Sequence, residues 1–128
     1  MSTSGGAPTA GAILGGVQYG PSGNNTYTTS SNSLVAIDST NIAVPITVPA
    51  SGSYWVEIES TNAAGTTNDP IVFGAMVGAS QVGAVGETNP TSVFYRTPYR
   101  TLVTGRTPGA SETVLGAWLV TAGVATIA

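Results

Sequence analysis

The side chains that do most protein chemistry are missing from this chain. It has no cysteine, no histidine and no lysine, and three arginines with six acidic residues are its whole charged inventory. A Ser-His-Asp hydrolase needs a base that titrates near neutrality, and neither histidine nor lysine is there to supply one. Without cysteine there is no thiol nucleophile, no disulfide scaffold and no zinc finger. What remains for acid–base work is a pair of carboxylates, and Glu57 and Glu59 are the nearest candidates. At i and i+2 on a strand they would share a face about 7 Å apart, a spacing that two-carboxylate glycoside hydrolysis can use. No other feature of a cleft accompanies them, so a solvated outer face beside Trp55 is the preferred reading. A calcium site needs several oxygen ligands. Asp38 with Asn41, and Asp69 with Asn68, lack the dense Asp/Asn/Gly spacing of such a loop and read as turn residues bonding their own backbone. The expectation is a protein that is not an enzyme and has no metal and no cofactor.

The charge balance narrows the partners. Charged residues make up 7% of the chain, against about 25% in ordinary domains. Three arginines cannot make a basic footprint, so no nucleic-acid partner is expected. A surface this poor in charge has weak electrostatic protection against self-association, which suits a protein that assembles. The most apolar stretches, residues 71–85 and 116–128, are Gly-rich and short of the about 20 apolar residues that span a bilayer, so no membrane partner is expected either. The first twenty residues carry neither a basic n-region nor a long apolar core, so no signal peptide is read there.

The elements that must position these residues are strands. The polar part of the chain is mostly Ser, Thr, Asn and Gly, of which Thr favours strands and Gly and Asn favour turns. Residues 1–23 are rich in Gly, Ala, Ser, Thr and Pro and read as an extended arm, with the apolar Ile13, Leu14, Val17 and Tyr19 available to dock on a neighbour. Residues 24–128 read as one domain. Ile42, Val44, Ile46 and Val48 alternate with Ala43, Pro45, Thr47 and Pro49, which predicts a strand, and the prolines confine it to a sheet edge. After a turn at residues 50–53, Tyr54, Val56 and Ile58 face one way and Trp55, Glu57 and Glu59 the other, so the two strands are expected to form a hairpin. Residues 61–70 are expected to be a loop. Residues 71–77 read as a central strand buried on both faces, continued by 81–85 after Gly78. Strands are expected at 92–96 and 99–103 on either side of Pro98, at 114–120 around a core Trp118, and at 124–127. Thr107-Pro108-Gly109-Ala110 has the proline and glycine of a type II turn. The sum is an all-β, antiparallel, jelly-roll-like β-sandwich of about seven to nine strands.

Within that frame the aromatics and arginines read as contact residues. Trp55, Tyr95, Tyr99 and Tyr27 suit either a sugar-stacking platform or a subunit interface, and in so uncharged a chain the interface is preferred. Arg96 and Arg100 share a face if the strand runs straight through Pro98, with Glu57, Glu59 and Glu87 as possible partners. A bidentate pair would fix orientation more than it would add stability.

Two stretches carry a resemblance: residues 36–58, in which a P-A-S-G turn separates an aliphatic strand from W-V-E-I, and residues 103–110 (VTGRTPGA) followed by Trp118. This order of strands and turns, over residues 25–128, resembles the small β-sandwich proteins of tailed-bacteriophage particles, most of all capsid decoration proteins. Similar patterns occur in trimeric jelly rolls of the complement and tumour-necrosis type. The resemblance implies a virion structural protein made in the host cytoplasm. It would sit on the outer capsid surface as a homo-oligomer, preferably a trimer, bound to the major capsid protein. The alternative is a head-fibre or tail module that binds a receptor or host glycan. No catalytic residue comes with the family.

Overall fold

The computed structural model describes residues 11–19, 27–65, 70–88 and 95–127, and all regular structure among them is β. The strands are β1 (Tyr27–Thr29), β2 (Val35–Ala36), β3 (Ala43–Thr47), β4 (Tyr54–Gly65), β5 (Ile71–Val77), β6 (Ser80–Thr88), β7 (Tyr95–Val103), β8 (Ser111–Val120) and β9 (Ala125–Ile127). They form two antiparallel sheets. One has the order β1-β9-β4-β7. The other has the order β2-β8-β5-β6, with β3 also on β8. β2 and β3 are one interrupted strand: Ala36 pairs with Ala117 and Ala43 with Leu115. Between them residues 37–42 loop out opposite Gly116, anchored by the Ile37 amide on the Gly116 carbonyl at 2.9 Å.

The topology is that of a long hairpin rolled up. Its tip is the turn at Gly78 and Ala79, and the two halves pair outward from it as β5 with β6, β4 with β7, β3 with β8 and β1 with β9. Successive pairs fall alternately in the two sheets, which is the jelly-roll arrangement. Further pairing of β4 with β9 and of β5 with β8 knits the roll. The roll bends where turn residues stand at matching levels on both halves. At one such corner the Arg106 amide donates to Gly52 O at 3.0 Å, the Gly109 amide to Val48 O and the Val48 amide to Ala110 O, both at 2.9 Å. Gly52 adopts φ +69°, and a Cβ there would stand 2.6 Å from Arg106 O. The expected turn at 107–110 is in place: the Ala110 amide donates to Thr107 O at 3.1 Å and Gly109 has φ +77°, as a type II turn requires.

Four sequence expectations change. Residues 42–48 and 54–59 are not a hairpin, because β3 and β4 lie in opposite sheets and the loop between them is a corner. Residues 81–85 do not continue β5 but reverse beside it in β6. The chain from Tyr95 to Val103 is a single strand through Pro98, tolerated because β7 is an edge strand. Residues 61–65, expected in a loop, extend β4 beyond an irregularity between Ser60 and Ala63.

The core has two parts. Towards the Gly52 corner Ile46, Val48, Tyr54, Ala75, Val82, Val103 and Val114 pack together, with Leu14 of the arm against them. At the other end lie Ile71, Phe73, Tyr99, Trp118, Val120 and Ala125, where the Phe73 and Trp118 rings stack at 6.4 Å. Burying a side chain of this size contributes roughly 1.5–3 kcal/mol. At the β6–β7 side the sheets are joined by side chains rather than a ladder. The Ala84 amide donates to Thr101 Oγ1 at 2.8 Å, and the Tyr99 hydroxyl donates to the Ala84 carbonyl.

Candidate functional site

The period-2 alternation of β4 turns Trp55, Glu57 and Glu59 to the outer face while Tyr54, Val56 and Ile58 line the interior. In β7 the same rule turns Arg100 and Leu102 outward and Tyr99, Thr101 and Val103 inward. The ladder sets Trp55 opposite Leu102 and Glu57 opposite Arg100. The Arg100 guanidinium carbon lies 4.2 Å from the centroid of the Trp55 ring, and its Nε is 3.2 Å from Glu57 Oε1. Such an exposed ion pair contributes at most about 1 kcal/mol, and the contact with the ring adds roughly 0.5–1 kcal/mol. Their larger effect is geometric: a long, mobile arginine is held in one place across an indole. Trp55 is 56% exposed and Leu102 44%, so an aromatic and an aliphatic side chain with a fixed ion pair between sheet strands face the solvent together. This patch can bury against a flat partner. Among the described residues, Glu57 and Glu59 are both exposed on this face.

The other acidic residues that the structure describes in detail are structural. Asp38 Oδ1 accepts from the amides of Thr40 and Asn41 at 2.9 Å, and Oδ2 accepts from the Asn41 side chain at 3.0 Å and from the Tyr27 hydroxyl at 2.7 Å. The sequence expectation of turn chemistry holds here, and the Tyr27 contact adds a tie between the two sheets. These bonds, that of the Asn41 amide first, hold the Asp38 carboxyl well below the usual carboxylate range, while burial and the same contact push Tyr27 up to about 12. Glu112 faces inward at the start of β8. It accepts two hydrogen bonds from Arg106 Nε, at 2.8 and 3.1 Å, a third from Arg106 Nη2, and one from the Tyr54 hydroxyl at 3.1 Å. Arg106 lowers the Glu112 pKa against the opposing effect of burial. Burial, followed by the bond to Glu112, raises Tyr54 to about 12. Glu112 was not anticipated as a partner, although Arg106 and Glu112 flank the turn at 107–110 and a tight turn returns its flanks to one another. Among the described residues no group of three or more His, Cys, Asp or Glu is placed to hold a metal ion.

The sequence-nominated contact residues separate. Trp55, Glu57 and Arg100 form the patch, with Glu59 exposed farther along the same face and Leu102 added by the register. Tyr99 is corrected: it is 8% exposed and belongs to the core, because outward Arg100 places its neighbour inward. Tyr95 and Arg96 open β7, and their side chains lie outside the described part of the structure, as do Asn68 and Asp69. In the arm, Leu14 packs on its own domain and Gly15 lies against Val44 and Pro45 of β3. Ile13 stands 93% exposed, and Val17 and Tyr19 are exposed too. The chain matches no protein-family model, no curated protein and no solved structure.

Proposed function

We propose that this chain is a non-enzymatic structural subunit, a decoration protein that binds the outer surface of a phage head. The single observation that carries the reading is the outer face of β4 and β7, where Trp55 and Leu102 are exposed beside an arginine already fixed by Glu57. Trp and Arg are the side chains that dominate binding energy when an interface closes over them, and fixing them beforehand reduces the ordering that binding must supply. The exposed Ile13, Val17 and Tyr19 of the arm give a second, separate foothold. A glycan-binding role at a fibre or tail ranks behind, because the Arg100 guanidinium already lies across the indole.

The test is cosedimentation of the purified chain with expanded phage heads that lack it. Wild type binds and raises the temperature at which the heads come apart, by mass action. Trp55→Ala weakens binding at least tenfold without unfolding the domain. Uptake that is absent, or equal for wild type and Trp55→Ala, would refute the proposal.

A further inference from the structure

The edges of the two sheets are covered in different ways. β6 and β7 are tied to each other through Thr101 and Tyr99. Among the described strands β3 pairs only with β8, so no ladder runs along its other side. The Val48 amide donates to Ala110 O, and Val48 O accepts from the Gly109 amide. Backbone groups alternate along a strand, so Val44 and Ile46 also face β8, while Ala43, Pro45, Thr47 and Pro49 face the open side. Proline stands at two of these four positions, where its missing amide removes no bond to β8. The carbonyls of Ala43, Pro45 and Thr47 and the amides of Ala43 and Thr47 still face outward, and such a row is a template for an arriving strand. The arm crosses this edge. Among residues 11–19 only Leu14 is not exposed, and it packs on the cluster of Ile46 and Val48. Leu14 also lines one pocket with Pro45, Thr47 and Thr113. Gly15 passes the middle of the edge: a Cβ there would stand 2.8 Å from Val44 Cγ1 and 3.3 Å from Pro45 O, whereas one at Gly16 would meet nothing within 4 Å.

We infer that residues 13–16 are a strap that withholds the β3 edge from strand addition by other chains. An added strand must lie about 4.8 Å from the edge, and Gly15 occupies that approach at Pro45. The strap is not itself a new edge, because among the described residues its backbone makes no hydrogen bond to β3. It covers the edge without extending the sheet. Prolines and strap act on complementary groups: the prolines remove two donors, and the strap covers the acceptor that Pro45 leaves. The cover is held by one seated leucine and by the close fit that a glycine alone permits at position 15. Covering matters in this chain because the charged edge residues that blunt other sheets are absent: none of residues 43–49 is charged. The strap acts whether or not the chain binds a phage head.

Gly15→Val and Leu14→Asp each unseat the strap, the first by its clash with Val44 and the second by loss of the apolar anchor. Sedimentation velocity and thioflavin fluorescence, followed over days at about 50 μM, read the self-association of the full chain. Wild type and Gly16→Val are expected to keep their starting size. Gly15→Val and Leu14→Asp are expected to start with wild-type circular dichroism and then grow into larger, thioflavin-positive species. Thr47→Pro added to either removes an outward amide and no bond to β8, and should slow that growth about tenfold or more. Growth through unfolded chains would not respond to Thr47→Pro. The inference is overturned if both strap variants keep the wild-type size, if both lose the wild-type circular dichroism, if Gly16→Val grows as they do, or if Thr47→Pro leaves the growth unchanged.

Discussion

Replacing Gly52 with alanine tests the corner on which the roll depends. Two terms add. At φ +69° an L side chain is strained by about 1–2 kcal/mol. The new Cβ would also stand 2.6 Å from Arg106 O, nearer than such atoms approach, so the two corner segments must part. Parting them lengthens the 3.0 Å bond from the Arg106 amide to Gly52 O, worth about 1 kcal/mol net. The sum is about 2–3 kcal/mol. Gly109→Ala is the control, because Gly109 has φ +77° and nothing within 4 Å of its would-be Cβ; only the strain of about 1–2 kcal/mol applies. At about 4 °C per kcal/mol for a domain of this size, Gly52→Ala should melt about 8–12 °C below wild type and Gly109→Ala about 4–8 °C below. Thermal melts followed by circular dichroism, with urea titrations for the free energies, read both. If Gly52→Ala melted within about 2 °C of Gly109→Ala, the close approach of the two corners would be wrong.

Three further outcomes follow from the polar ties. Tyr99→Phe removes the hydroxyl that donates to the Ala84 carbonyl; it should lower stability by about 1–3 kcal/mol in urea and speed amide exchange along β6. In a pH series, the depressed carboxyls of Asp38 and Glu112 stay ionised in the fold where the unfolded chain takes up protons. Their contribution is therefore present above about 4 and lost as pH falls below it, so the urea midpoint should drop between pH 7 and pH 3, and less so in Glu112→Gln. Tyr27 and Tyr54, raised to about 12, give the mirror effect. Their contribution is present below about 10 and lost as pH rises from there, which phenolate absorbance at alkaline pH follows.

The sequence by itself determined what short range determines. Alternation in residues 54–59 separated Tyr54, Val56 and Ile58 from Trp55, Glu57 and Glu59, because successive side chains on a strand must oppose one another. Pro108 and Gly109 announced their turn because only certain residues accept those dihedral angles. Asp38 announced an Asx turn, and Pro45 an edge strand. Even the burial of Tyr99 was within reach, since a strand that turns Arg100 outward cannot also expose Tyr99. Pairing was not within reach. β3 finds β8 and β4 finds β7 across more than thirty residues, and nothing local distinguishes that from a hairpin between β3 and β4. Only the rolled ribbon brings Leu102 beside Trp55, sets Arg100 between the indole and Glu57, and faces Tyr54 towards Glu112. The absence of cysteine, histidine and lysine was legible from the first residue to the last; the placement of the few remaining charges on particular faces is a property of register, and register exists only once the two halves of the chain have met.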